Sequence, residues 1–201
     1  MKNFFTSTWF KCVSSLLVLC VVLGGTLAVL NPLLSVSANE RTARAIKKIY
    51  GKEVTGIVTL LDVDDANRSD KAIECFNNSS ENIGTINKIY QIDNDLLFQS
   101  TGYNGYKNGT ITLWIKVITN PQGRKLIDKI VLESNTKQTL MSKLDGAYYQ
   151  NFYIDVTDNV DFFTSNNGAT SSNKNVVSGA TKSAMAGCNA VNCVIYYLGV
   201  K

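Results

Sequence analysis

The sequence predicts an α+β protein, in which an N-terminal transmembrane helix precedes one domain with a mainly antiparallel, twisted sheet flanked by helices. An uncharged, mostly apolar segment covers residues 12–30. Two turn signals, Asn108-Gly109 and Asn120-Pro121-Gln122-Gly123, each precede an apolar run of strand length. Residues 185–198 repeat apolar side chains at helical spacing. Together these patterns favour antiparallel hairpins packed against helices.

The apolar segment at residues 12–30 can cross a hydrocarbon layer of about 30 Å as a helix. We therefore divide the chain into a membrane anchor with a short tail, residues 1–38, and a domain of residues 39–201. An uncleaved anchor would make this a single-pass protein of the cell membrane, in contact with lipid. The alternative is a long signal peptide that is cleaved after Val36-Ser37-Ala38.

Periodicity places the elements of the domain in order along the chain. Side chains at three- and four-residue spacing predict a helix near the start, and alternating or continuous apolar runs predict five strands. Residues 77–82 are polar and predict a loop. The last helix is expected to end at Gly199. In chain order, the predicted elements are helix 41–50, strands 54–63, 83–92, 95–100, 110–117 and 127–132, and helix 181–198.

The composition excludes several kinds of chemistry. The chain has no histidine, so Ser-His and Cys-His catalysis, histidine-ligated haem and most catalytic zinc sites are excluded. No Cys-x-x-Cys spacing is present, and we expect no metal site. The formal net charge is +4, without a basic stripe interleaved with aromatic residues, so we expect no nucleic-acid partner.

The five cysteines fall into two groups, of which Cys12 and Cys20 belong to the apolar segment. Cys188 and Cys193 would point in different directions on the predicted final helix, so they should not pair with each other. Cys75 could pair with either of them. We favour three unpaired thiols in the domain.

A cluster of small and hydroxyl residues precedes the final helix: Ser178-Gly179-Ala180-Thr181-Lys182-Ser183. A helix start carries unpaired N–H groups and partial positive charge, so it can hold a phosphate. Gly179 would let a ligand approach the backbone, and Thr181 would place a hydroxyl beside it. The alternative is an ordinary Ser/Thr helix cap.

This cluster resembles the motif of the FMN-binding domain family, approximately Asp-x-x-Ser/Thr-Gly-Ala-Thr. The family includes flavin-carrying subunits of the Rnf electron-transport complex and of the sodium-translocating NADH:quinone reductase. The resemblance implies FMN bound covalently through a phosphoester to Thr181, which a separate flavin transferase installs. It also implies flavin contacts from Ser178, Gly179, Ala180, Lys182 and Ser183. The chain departs from the motif at Asn175, where the family has aspartate.

The same resemblance suggests two further segments that could contribute to the flavin pocket. Asn167-Gly168-Ala169-Thr170 is a second, poorer copy, and we interpret Thr170 as part of the flavin pocket or of a polar loop. The family's Glu-Thr-Pro-Gly-like pocket wall would correspond to Gln138, Thr139 and Leu140, although proline and glycine are missing. The alternative for residues 136–144 is a capped amphipathic helix.

The resemblance implies an electron carrier, within an Rnf-type complex or in extracellular electron transport. Its partners would be the flavin transferase and a redox protein or membrane electron-transport complex. The family places the domain on the extracytoplasmic side. The charges conflict with this, because Lys2 and Lys11 precede the apolar segment whereas five basic residues follow it between positions 41 and 52. The rival function is a non-redox, membrane-anchored surface or binding domain.

Overall fold

The structure of the chain, a computed structural model, describes residues 8–34, 37–63, 71–144, 146–154 and 180–200. The chain divides into two compact units, Met1–Arg41 and Thr42–Lys201.

The first unit is built around one apolar helix, α1 (Thr8–Leu34). Its stretch Thr8–Ala28 is long and apolar enough to cross a membrane. Leucine and valine side chains such as Leu16 and Val21 are about two-thirds exposed. A helix of this kind fits the anchor and the signal-peptide alternatives equally.

The second unit contains a six-stranded sheet in which every pairing is antiparallel. Four strands follow one another in the order β3-β4-β5-β6, and β1 and β2 both pair with β3, one after the other along its free side. The antiparallel prediction is therefore confirmed. The strands are β1 (Ile57–Asp62), β2 (Ile73–Phe76), β3 (Asn82–Ile92), β4 (Asp95–Gly102), β5 (Ile111–Thr119) and β6 (Lys125–Asn135).

Helices cover both faces of this sheet. On one face α2 (Ala38–Tyr50) contributes Ile46 and Ile49 to a small core with Leu97 and Trp114. The other face carries the larger core, which α3 (Gly146–Tyr153) and α4 (Thr181–Val200) close. The α+β architecture with flanking helices is confirmed, and α4 crosses the middle of the sheet, in contact with β2 to β5.

Two local predictions were wrong, and one strand was missed. The alternative helix over residues 136–144 is reduced to a 3-10 turn, Met141–Lys143, because Leu140 adopts a left-handed conformation (φ 57°, ψ 33°) that a helix cannot include. Gly199 does not end α4, which continues through Val200. The strand β2 was not predicted, since four residues are too few to establish an alternating pattern.

Candidate functional site at the start of helix α4

The first turn of α4 presents the residues of the Gly-Ala-Thr cluster that the structure describes. The first helical hydrogen bond runs from the Ala184 N–H to the Ala180 carbonyl, at 2.8 Å. Ala180 is therefore the N-cap residue, and Thr181 is the first residue within the helix. Ala180 is buried, whereas Thr181 and Lys182 are exposed. A threonine hydroxyl and a lysine thus stand in solvent at the positive end of a 20-residue helix.

The loop after β6 lies against this first turn. The Ser183 hydroxyl is buried and donates to the Thr139 carbonyl at 3.3 Å. Leu140 follows and is 47% exposed. The structure therefore places Thr139 beside the start of α4, next to residues that the resemblance assigns to the same pocket.

Gln138 is occupied by backbone contacts to a neighbouring loop. Its Oε1 accepts from the Tyr106 N–H at 3.1 Å, and its Nε2 donates to the Thr136 carbonyl at 2.8 Å. Its amide also fills the space over Gly105 and Gly109, where an added Cβ atom would lie within 2.6 and 2.3 Å of Nε2. The geometry gives Gln138 a role in holding the 105–109 loop to the end of β6.

Small residues allow α4 to lie directly on the sheet. A Cβ atom added at Gly102 would meet the Ala186 carbonyl oxygen at 1.9 Å. Beside this contact, the buried Ser100 hydroxyl donates to the Ala190 carbonyl at 2.7 Å. Closer to the start of the helix than Ala190, Gly187 faces the ring of Tyr149 from α3. These contacts determine the position of α4, and with it the position of Thr181.

Three tyrosines of α3 form an aromatic cluster against the same helix, and sequence reasoning missed them. Tyr148, Tyr149 and Tyr153 lie with ring centroids 5.1–6.2 Å apart. Burial raises the pKa of all three phenols, and it raises the pKa of the adjacent Cys188 thiol to about 12. These groups stay neutral at physiological pH. The four-residue spacing of Tyr149 and Tyr153 was the available signal for a buried helical face.

The remaining predicted residues divide between described and undescribed parts of the chain. Ser178, Gly179 and Thr170 lie outside the described residues. Cys75, Cys188 and Cys193 are buried and free in this structure. Within the part of the chain that the structure describes, no three His, Cys, Asp or Glu residues cluster as metal ligands would.

Comparison of the chain with models of protein families, with curated proteins and with solved structures gives no match.

Proposed function

We propose that this protein is a membrane-anchored flavoprotein that carries electrons through FMN attached by a phosphoester to Thr181. The observation that carries the proposal is the position of this threonine, which lies exposed at the first helical position of α4, directly after an N-cap alanine. A hydroxyl at this position is accessible to a modifying enzyme. It also lies next to the unpaired N–H groups of the first turn, which attract a phosphate.

The described residues fit the phosphate end of FMN. The helix start supplies N–H donors and partial positive charge, and Lys182 adds a full charge at an exposed neighbouring position. Thr139 and Leu140 form the side wall of this turn, through the contact of Thr139 with Ser183. When bound, FMN would supply the redox chemistry, and the protein would supply its position and surroundings.

The rival function treats the hydroxyl residues as a plain helix cap. Side-chain capping requires Ser, Thr, Asp or Asn at the N-cap position, and alanine is among the poorest residues there. Because Ala180 occupies that position, Thr181 lies one residue too far into the helix to act as the cap. This argues against capping as the role of Thr181.

As an electron carrier the protein would need two kinds of partner, a flavin transferase for maturation and a redox protein or membrane complex for electron exchange. The apolar helix α1 would keep the carrier at the cell membrane, with its domain on the extracytoplasmic side. Covalent attachment suits that location, because a flavin that dissociated there would be lost.

The test is to express the full chain together with a flavin transferase that modifies proteins of the FMN-binding domain family. Flavin fluorescence is then detected after denaturing electrophoresis. We expect a fluorescent band that is retained in Thr170→Ala and absent from Thr181→Val, which keeps the size of the side chain but removes its hydroxyl. Peptide mass mapping should locate FMN between residues 180 and 182. Loss of the band in Thr170→Ala but not in Thr181→Val would instead identify Thr170 as the attachment residue. An unmodified wild-type chain would refute the carrier function.

A further inference from the structure

Two buried cysteines from distant parts of the sequence lie close together where α4 contacts the short strand β2. Cys75 lies in the short strand β2, and Cys193 lies in the second half of α4, 118 residues later. Both side chains are fully buried. The Cys75 Sγ lies 3.8 Å from the Cys193 carbonyl oxygen and 3.5 Å from the Ile73 carbonyl oxygen of its own strand.

The strand register explains why the two sulfurs are neighbours. Cys75 is the cross-strand partner of Gly84 in β3. A Cβ atom added at Gly84 would lie 2.8 Å from Cys193 Sγ, so the sulfur of Cys193 occupies the space that a side chain at position 84 would fill. Cβ atoms of directly opposed residues in an antiparallel pair lie about 4.5–5.5 Å apart. Cys193 Sγ therefore lies next to the cross-strand partner of Cys75, and burial together with the neighbouring Cys75 thiol raises the pKa of Cys193.

We propose that Cys75 and Cys193 form a disulfide that fastens α4 to β2 when the protein folds in an oxidising environment. This inference is independent of the flavin. Both thiols are free in this structure, and bond formation requires the two side chains to rotate until the sulfurs are about 2.05 Å apart.

The oxidation needs an external acceptor, because it removes two electrons and two protons from the pair. One thiol, as thiolate, attacks the disulfide of glutathione or of a dithiol oxidase, and a mixed disulfide forms with release of one acceptor thiol. The second cysteine then attacks the mixed disulfide. The Cys75–Cys193 bond forms, and the acceptor leaves as a second thiol. Since both cysteines are buried in the folded domain, this exchange should take place while the chain folds.

Cys188 provides a matched control, because it is equally buried on the same helix but lies against Tyr153 and Asn192. Trypsin places Cys75 in the peptide of residues 72–88, and it leaves Cys188 and Cys193 together in the peptide of residues 183–201. A cross-link between these two peptides therefore does not show whether Cys75 is bonded to Cys188 or to Cys193. The variants Cys188→Ala and Cys193→Ala distinguish the two cases.

The experiment refolds the full chain in detergent from the reduced, denatured state, in parallel with oxidised and with reduced glutathione. Free thiols are then blocked in denaturant, and the tryptic peptides are mapped. With oxidised glutathione we expect the cross-linked pair of peptides in wild type and in Cys188→Ala, and its loss in Cys193→Ala. The cross-linked protein should unfold at a temperature higher by on the order of 10 °C, because the bond closes a long loop.

Two results would overturn the proposal. One is wild-type protein refolded with oxidised glutathione in which Cys75 and Cys193 are both recovered as blocked free thiols. The other is a cross-linked chain that unfolds at the same temperature as the reduced chain, since such a bond would not fasten the helix.

Discussion

Replacing Gly102 with alanine should separate α4 from the sheet. The added Cβ atom would lie 1.9 Å from the Ala186 carbonyl oxygen and 2.3 Å from the Ala190 nitrogen. Both atoms belong to the helix backbone, so no side-chain rotation can relieve the clash. Ordinary contact begins at 3.4 Å, and the helix must therefore move by about 3.4 − 1.9 = 1.5 Å.

The energetic cost follows from this displacement. Gaps of 0.5–1 Å already remove roughly a quarter to a half of the dispersion attraction between packed atoms. Overpacked cores lose about 1–3 kcal/mol when side chains can adjust. Because the clash is with backbone, we expect Gly102→Ala to lower the free energy of unfolding by at least about 3 kcal/mol. The matched control is Gly146→Ala, where an added Cβ atom meets nothing within 4 Å.

The assay is equilibrium unfolding in detergent, followed by the fluorescence of the buried Trp114. A Trp9→Phe background removes the only other tryptophan of the chain, which lies in α1. We expect a lower denaturant midpoint for Gly102→Ala and a stability within about 0.5 kcal/mol of the parent for Gly146→Ala. Equal midpoints for the two variants would refute the direct packing of α4 on β4.

Three further predictions concern pH, backbone strain and a loop. Burial raises the pKa of Cys188 from 9.0 to about 12 and raises that of Tyr149 above its ordinary value, so the folded protein keeps protons that the unfolded chain releases. The contribution of these two groups to the free energy of unfolding should be fully present below pH 9 and should decrease above it, by up to about 1.4 kcal/mol per pH unit for each group. Denaturant titrations from pH 8 to 11 would measure this decrease. Leu140→Asn should raise the free energy of unfolding by about 1 kcal/mol, because asparagine tolerates the left-handed conformation, whereas Leu140→Ala should not; equal stability of the two variants would contradict this explanation. Gln138→Ala should cost about 1–2 kcal/mol in the same assay yet leave flavin attached, and loss of the attached flavin would instead give Gln138 a direct part in the pocket.

The β3–β4 and β5–β6 hairpins could be predicted from local sequence patterns. Strands β3 and β4 alternate apolar and polar residues on both sides of a two-residue turn, and the structure pairs Ile92 with Asp95 across it. The second hairpin follows from the Asn120 turn in the same way. In contrast, the pairing of β1 with β3 joins residues that are far apart in the sequence, such as Ile57 and Ile92, so no local pattern could predict it.

The helix α3 escaped prediction for a related reason. It has eight residues, and its tyrosines are buried by α4 and the sheet, so its stability comes from tertiary contacts rather than from propensity. The same holds for the candidate site. The contact between Ser183 and Thr139 joins residues 44 positions apart, and only the resemblance to a family suggested that they are neighbours.

Under the proposal that FMN is carried on Thr181, the position of this residue on α4 meets two requirements of a site for covalent attachment. A modifying enzyme must reach the hydroxyl, yet an electron carrier must hold its cofactor in a defined place. The first turn of α4 is exposed at Thr181, while Ser183 is tied to the loop after β6, and Ser100 and Gly102 hold the middle of the helix on β4. Because the helix is packed along its length, its first residue is held in a defined place at little additional cost in backbone entropy. A flexible loop would have to lose that entropy when the cofactor is positioned. If FMN is carried on Thr181, substitutions on the buried face of α4 should therefore disturb electron transfer before they disturb attachment.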